Sequence, residues 1–178
     1  MKHYIKQKRR ESLLNEEPSD VDKIINLLKS GDESNIELAY ALGEGQKINV
    51  DELVKSIYGE FLLNVVEGDT IKDKLINLTN LMYLFLDNNE LTTLPEGISK
   101  LANLKYLDLD YNNLTTLPEW INNLTNLKGV YLNDNNLTTL PEGISKLANL
   151  KYLDLRNNNL SGSEKERVKR IFGDKVNL

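Results

Sequence analysis

A pattern of leucines recurs every 23 residues between positions 78 and 160. Each copy reads Leu, two variable residues, Leu, two variable residues, an apolar residue, one variable residue, Leu, two variable residues, Asn, one variable residue and Leu. The copies open at Leu78, Leu101, Leu124 and Leu147. One short strand and its return loop cannot bury these side chains alone, so neighbouring copies must stack to form a continuous core. The sequence therefore predicts a solenoid.

A nineteen-residue stretch occurs twice without any change, at 91–109 and at 137–155. The two occurrences are 46 residues apart, which is two periods of the pattern and indicates duplication of a two-copy unit. Residues that the copies share are expected to build the coil. Residues that differ between copies are the better candidates for partner specificity.

Three of the copies continue with Leu-Pro and a later Ile, as at Leu94, Pro95 and Ile98. With this continuation, residues 71–160 resemble the leucine-rich repeat family in its 23-residue LxxLPxxIxx form, which is common in bacterial proteins. The resemblance implies an α/β leucine-rich repeat solenoid, a right-handed coil with a parallel concave sheet. It also implies a non-enzymatic protein-binding module.

One asparagine in each copy falls where the chain turns out of its strand. These residues are Asn89, Asn112, Asn135 and Asn158. Their amides are expected to bond backbone groups of the turns inside the coil, where losing a partner costs about 1–3 kcal/mol. We therefore predict a structural role for this column.

Helical patterns flank the repeats on both sides. We expect a tail over 1–18, a helical N-terminal cap domain over 19–70, repeats over 71–160 that begin with a half repeat, and a capping helix within 161–178. Ser19, Ser34, Asn49 and Ser163 are the predicted helix starts. The N-terminal helices are predicted to bury the first repeat, and a second binding module is the alternative.

Strand residues alternate between two faces, so the residues between the buried leucines are predicted to point outward along the sheet. All five tyrosines of the repeats fall among these residues. Tyrosine is enriched at interfaces, and carboxylates favour a partner with lysine or arginine at its contact surface. We name the following twelve residues the sheet face and predict that they bind a partner: Tyr83, Phe85, Asp87, Tyr106, Asp108, Asp110, Tyr111, Tyr131, Asp134, Tyr152, Asp154 and Arg156.

Within the sheet face, the aromatic residues Phe85, Tyr106, Tyr131 and Tyr152 are predicted to anchor the partner. The carboxylates of Asp108, Asp110 and Asp154 are predicted to steer it. Trp120 is a candidate contact on the flank, since it replaces the Gly97 and Gly143 of sister repeats.

The composition argues against catalysis and against several partner classes. Cysteine is absent and His3 is the only histidine, so no Ser-His or Cys-His relay and no histidine metal cluster is expected. The net charge of −5 argues against nucleic acid. No apolar run approaches the ~18 residues of a membrane span, so we expect no membrane contact and a cytoplasmic location.

The sequence thus predicts a cofactor-free module that binds a protein or peptide carrying basic contact residues. The alternative is a structural protein that associates with itself, since the terminal strands are potential open edges. We expect a monomer, and a homo-oligomer is the other possibility.

Overall fold

The computed structural model describes residues 18–178. The predicted tail, apart from Pro18, lies outside the described residues, and so does His3. The chain forms two compact units that divide between Val50 and Asp51. This division falls inside the segment 19–70 that the sequence suggests as one domain.

Two helices pack against each other in the first unit, α1 (Asp20–Ser30) and α2 (Glu33–Gln46). Ser19 starts α1 as predicted, because its hydroxyl accepts the Asp22 N–H while the Asp22 carboxylate accepts the Ser19 N–H. The buried apolar residues of the pair are Ile24, Leu28, Ile36 and Ala39.

Three further helices precede the strands. They are α3 (Val50–Tyr58), α4 (Glu60–Leu63) and α5 (Ile71–Thr79). The sequence predicts one long helix after Asn49, but Gly59, at φ 82, interrupts it. The sequence places Phe61 and Val65 on one apolar side of that long helix with Leu53 and Ile57, but both are exposed. The predicted half repeat is the helix α5, whose Leu75 is buried 23 residues before the buried Ile98.

Each repeat contributes one short strand to a parallel sheet. The strands are β1 (Tyr83–Phe85), β2 (Tyr106–Asp108), β3 (Gly129–Tyr131) and β4 (Tyr152–Asp154). Neighbouring strands pair with an offset of 23 residues, so equivalent residues of successive repeats lie side by side. The return path of each coil contains a 3-10 helix after a proline, at Glu96–Lys100, Glu119–Asn123 and Glu142–Lys146.

Three residues of the asparagine column bond to backbone groups of their own turns, as predicted, and they also tie each coil to the one before it, which was not predicted. Asn89, the fourth, is exposed. The Asn112 amide nitrogen donates to the carbonyl oxygens of Leu86 and Leu109, and its oxygen accepts the Leu91 N–H at 2.8 Å. Asn135 and Asn158 repeat these bonds one and two coils further on. The fold therefore depends on this column at every junction between repeats.

A second asparagine column was not anticipated from the sequence. Asn103, Asn126 and Asn149 each donate across to a backbone carbonyl oxygen of the preceding coil, at 2.8–3.0 Å. Their constant spacing of 23 is the signal that would have revealed them.

Residues Tyr58 and Leu62 of α3 and α4 lie against the first repeat. A side chain at Gly97 would meet the carbonyl oxygen of Tyr58 and the side chain of Leu62, so α3 and α4 pack directly on the first 3-10 segment. At the equivalent Gly143, the close neighbour is Asn122 of the preceding coil.

The other end of the solenoid is closed by α6 (Gly162–Phe172), which buries Val168 and Phe172. The chain then makes a 3-10 turn and adds a fifth strand, β5 (Val176–Asn177), beside β4. Its pairing keeps the 23-residue offset, although the leucine pattern ends at Leu160. This strand was not predicted.

Glu164 joins α6 to the last repeat. Its carboxylate accepts the Leu140 N–H at 2.8 Å and the Thr139 hydroxyl at 3.1 Å, and it pairs with Arg167. Arg167 in turn donates to the Leu140 carbonyl oxygen. Bonding to Arg167, which outweighs the opposing effect of burial, lowers the pKa of Glu164 to about 2.

Two helices begin at a different residue from the one predicted. Asp32, not Ser34, caps α2 by accepting the Asn35 N–H. Ser161, not Ser163, caps α6. In both cases the capping side chain lies two residues before the predicted serine, which shows that several neighbouring polar residues fit the same sequence pattern.

Candidate functional site

The strand register places the outward residues in columns that run across the sheet. Tyr83, Tyr106, Gly129 and Tyr152 form one column, and Phe85, Asp108, Tyr131 and Asp154 form the next. The columns bring the aromatic residues of different repeats within reach of one another, although they are distant in sequence.

Aromatic rings cover the solvent side of the strands. Tyr83 and Tyr106 stack with ring centroids 4.9 Å apart and planes within 5°. The Tyr106 ring lies against Gly129, where any side chain would collide with it. Tyr131 and Tyr152 are in tilted contact at 5.2 Å. The absence of a side chain at Gly129 therefore makes room for the Tyr106 ring, and the two ring pairs on successive strands together form the aromatic row.

The aromatic residues are most exposed on β1 and in the turn that follows β2. Phe85 is 66% exposed, Tyr83 is 50% exposed and Tyr111 is 59% exposed. Tyr106, Tyr131 and Tyr152 are half-buried by their neighbours. Burial, with smaller effects from Tyr152 and Tyr106, raises the pKa of the Tyr131 hydroxyl.

Carboxylates lie beside the aromatic row, where the strands end. Asp87 is exposed, while Asp108 and Asp110 are half-buried. The Asp110 carboxylate accepts the Asn133 N–H at 2.7 Å, and the Asp108 carboxylate accepts the Asp110 N–H at 3.1 Å. Burial raises the pKa of Asp110 to about 6, and the nearby Asp108 charge acts in the same direction.

Asp154 is not the exposed steering group that the sequence predicts. It is only 2% exposed, and the Arg156 guanidinium binds it at 2.6 Å. Burial alone would raise the pKa of Asp154, but the hydrogen bonds from Arg156 lower it. The Tyr152 hydroxyl also donates to Asp154, and it accepts a bond from Asn177 of β5. The unpredicted fifth strand thus helps to enclose this carboxylate, and only the Arg156 side chain remains exposed.

Three residues after the end of each repeat strand, the backbone has a left-handed conformation. Asn88, Tyr111, Asp134 and Asn157 all have φ between 53° and 55°. Asp134 accepts a bond from the Asn133 amide at 2.6 Å. Tyr111 is the one member of this column without a short polar side chain.

A row of lysines lies at the opposite end of the strands and was missed in the sequence reasoning. Lys105, Lys128 and Lys151 each precede a strand and occupy equivalent positions, 23 residues apart. The same spacing rule that revealed the aromatic columns would have shown this row. A row of positive charges therefore precedes the strands, and the carboxylates of the sheet face follow them.

Trp120 lies in the second 3-10 helix, away from the strands, and is half-buried. The equivalent Gly97 cannot carry a side chain because α3 and α4 pack on it. Trp120 remains a predicted flank contact, separate from the sheet face.

Within residues 18–178, no three His, Cys, Asp or Glu side chains are grouped as a metal site would require. Over the same residues, no helix combines the length and the apolar character needed to cross a membrane.

A family model for the leucine-rich repeat region matches residues 64–171. Because the match covers more than half of the chain, the protein belongs to the leucine-rich repeat family, and the predicted family and solenoid fold are confirmed. Proteins of this family are generally protein-interaction modules and are typically non-enzymatic.

Among solved structures, the chain is similar to a leucine-rich repeat protein of Leptospira interrogans, at 38% identity and a TM-score of 0.55, over 59% of this chain and 27% of that one. It also matches the leucine-rich repeat domain of a Shigella effector, at 27% identity and a TM-score of 0.40, over 60% and 47% of the two chains. An internalin from Listeria monocytogenes matches at 23% identity and a TM-score of 0.38, over 48% and 25%. The chain spans less than half the length of each of these proteins. No curated protein sequence matches it.

Proposed function

We propose that the sheet face binds a segment of a partner protein, with Tyr106 and Tyr131 at its centre. The observation that supports this most strongly is the aromatic row, which consists of two ring pairs on successive strands. Tyr83 stacks on Tyr106, Tyr106 lies on Gly129, and Tyr131 contacts Tyr152, all on the solvent side of the sheet. Rigid, partly exposed aromatic rings of this kind are the usual anchors of protein interfaces.

The size of the face favours a short partner element. Five strands at ~4.8 Å spacing extend about 20 Å, while a standard interface uses roughly 800 Å² on each partner. A helix or an extended segment that lies across the strands fits this area, whereas a large flat surface would extend past it.

The carboxylates favour a partner with lysine or arginine on its contact surface. Asp87, Asp108, Asp110 and Asp134 form no ion pair with a cation in the part of the chain that the structure describes, whereas Asp154 is neutralised by Arg156. Complementary charge of this kind accelerates association more than it increases affinity.

The test compares capture and binding kinetics across matched variants. Tyr131→Ala is expected to cost about 2 kcal/mol of binding free energy, mainly through faster dissociation. Asp110→Lys is expected to slow association and to weaken its dependence on salt. Phe85→Ala is a further variant, and its high exposure makes a folding defect improbable.

The control is Lys146→Ala, an exposed change in the last 3-10 helix, away from the strands. A partner that is retained by this variant and lost by the sheet-face variants supports the proposal. A partner whose affinity falls only with Lys146→Ala binds another surface, and the proposed function is then wrong.

Self-association is the second candidate, and one observation favours it. Strand β1 is at the end of the five-stranded sheet, and it carries the exposed Tyr83 and Phe85. Pairing of β1 with a second copy would cover both residues. Light scattering over a range of concentrations tests this candidate, and a mass that stays at 20.3 kDa throughout counts against it.

A further inference from the structure

Four coils place a residue at the same point of the turn after the strand, and all four residues have the same left-handed backbone. Three of the coils use asparagine or aspartate there, at Asn88, Asp134 and Asn157. These are the residues other than glycine that adopt this conformation most readily. The remaining coil, which is the second along the chain, has Tyr111 at this point, with φ 54. A bulky side chain is unfavourable in this region of backbone conformation.

Among the described residues, the Tyr111 side chain makes no interaction that would compensate for this backbone conformation. Its ring is 59% exposed, and in residues 18–178 it makes no ring contact and no side-chain hydrogen bond. The backbone N–H of Tyr111 bonds to the Asn133 carbonyl oxygen, but every residue type supplies that group. A strained residue that does not serve the fold is an indication of function.

The surroundings of Tyr111 define the chemistry of a complementary group. Asp110 precedes it, and Asp134 occupies the same column one coil further on. Neither carboxylate is ion-paired within the described residues, and the guanidinium of Arg156 is held by Asp154. A cation placed on the Tyr111 ring would gain both a cation–π contact and these two negative charges.

We infer that Tyr111 is a specificity-determining residue of the sheet face, which receives an arginine or lysine side chain of the protein partner. This inference rests on the proposed function and adds the chemistry of one contact to it.

The inference predicts opposite effects of one substitution on folding and on binding. Tyr111→Asn restores the residue type of the sister coils, so the midpoint of thermal unfolding is expected to rise by about 1–3 °C. The same change is expected to weaken binding by at least about tenfold. Tyr111→Phe keeps the ring, so its affinity is expected to stay within about threefold of the unmodified chain. Asn88→Tyr creates the same strain in the first coil, and its midpoint is expected to fall without any gain in binding.

A phage-displayed library of random peptides, selected against the full chain, supplies the binding probe. The expected peptides contain arginine or lysine, compete with one another and lose affinity for Tyr111→Asn. Peptides that depend on Tyr131 but bind Tyr111→Asn equally well would overturn this inference and leave the proposed function standing. If no selected peptide depends on Tyr131 or on Tyr111, both the proposed function and the inference fail.

Discussion

At the scale of single residues, one asparagine position plays different parts in different coils. Asn112 is 5% exposed and its side chain bonds to backbone groups of two coils. The exposed Asn89 occupies the same position in the first coil, and its side-chain amide donates to the Asp87 carbonyl oxygen of its own coil. The same residue type thus has two different roles, because Asn89 has no earlier repeat to join.

Asn112→Ala is expected to lower the free energy of unfolding by about 1–3 kcal/mol, because it leaves buried backbone groups of two coils without partners. Asn89→Ala, the matched control, is expected to cost only a few tenths of a kcal/mol. Denaturant unfolding measures both. Equal losses for the two variants would mean that the asparagine column does not link the coils.

The limits of sequence reasoning at this scale are visible in two residues of the sheet face. Asp154 has the same strand position as Asp108, so the pattern assigns both to the surface. Its burial depends on Arg156 and on Asn177 of a strand that carries no repeat signature. The left-handed backbone at Tyr111 was equally invisible, because it follows from the turn geometry and not from the residue itself.

At the scale of elements, the 23-residue period predicts the four repeat strands, their parallel order and their register, since equivalent positions must stack. The period does not reach the ends of the solenoid. There, α5 replaces the predicted half repeat, Gly59 divides a predicted helix, and β5 extends the sheet. Only two residues form β5, and their pairing depends on where α6 returns the chain. A sequence window cannot detect a strand of this kind.

The junction between α6 and the last repeat is expected to fail in acid. The pKa of Glu164 is lowered from 4.5 to about 2 in the folded chain, so its contribution to stability is complete above pH ~4.5 and disappears as the pH falls towards 2. Glu164→Gln is expected to cost about 1–3 kcal/mol at neutral pH, and the difference from the unmodified chain should shrink between pH 4.5 and 2.

Urea unfolding at a series of pH values checks this expectation. Glu166→Gln is the control, because Glu166 is exposed on the same helix. A loss of stability for Glu164→Gln that does not change with pH would show that the carboxylate charge does not hold the helix.

At the scale of the whole molecule, the two copies of the nineteen-residue stretch contact different helices. The copy at 91–109 receives α3 and α4 at Gly97, and the copy at 137–155 receives α6 at Thr139 and Leu140. These contacts use different positions of one identical sequence. We therefore expect that a single copy can pack against both ends.

Joining Leu104 directly to Lys151 removes 46 residues and retains one copy of the stretch in register. We expect this shorter chain to fold, with Thr93 and Leu94 accepting Glu164 in place of Thr139 and Leu140. Its stability should be lower, because two repeats and their interfaces are absent. Circular dichroism and denaturant unfolding measure the outcome.

Joining Leu104 to Tyr152 removes one residue more and is the matched control. A shift of one residue turns the outward side chains of a strand inward, so this variant is expected to lose cooperative unfolding. If both deletions unfold alike, the register is not what allows one copy to serve both ends.

The duplicated stretch also suggests how the length of the sheet could change. If the shorter chain folds as expected, each additional 46-residue unit would lengthen the sheet by two strands, or about 10 Å, without a change at either end. Copy number would then set the length of the sheet, and the residues that differ between coils would set the composition of its exposed surface. Chains built with different numbers of this unit would therefore differ in sheet length by steps of two coils.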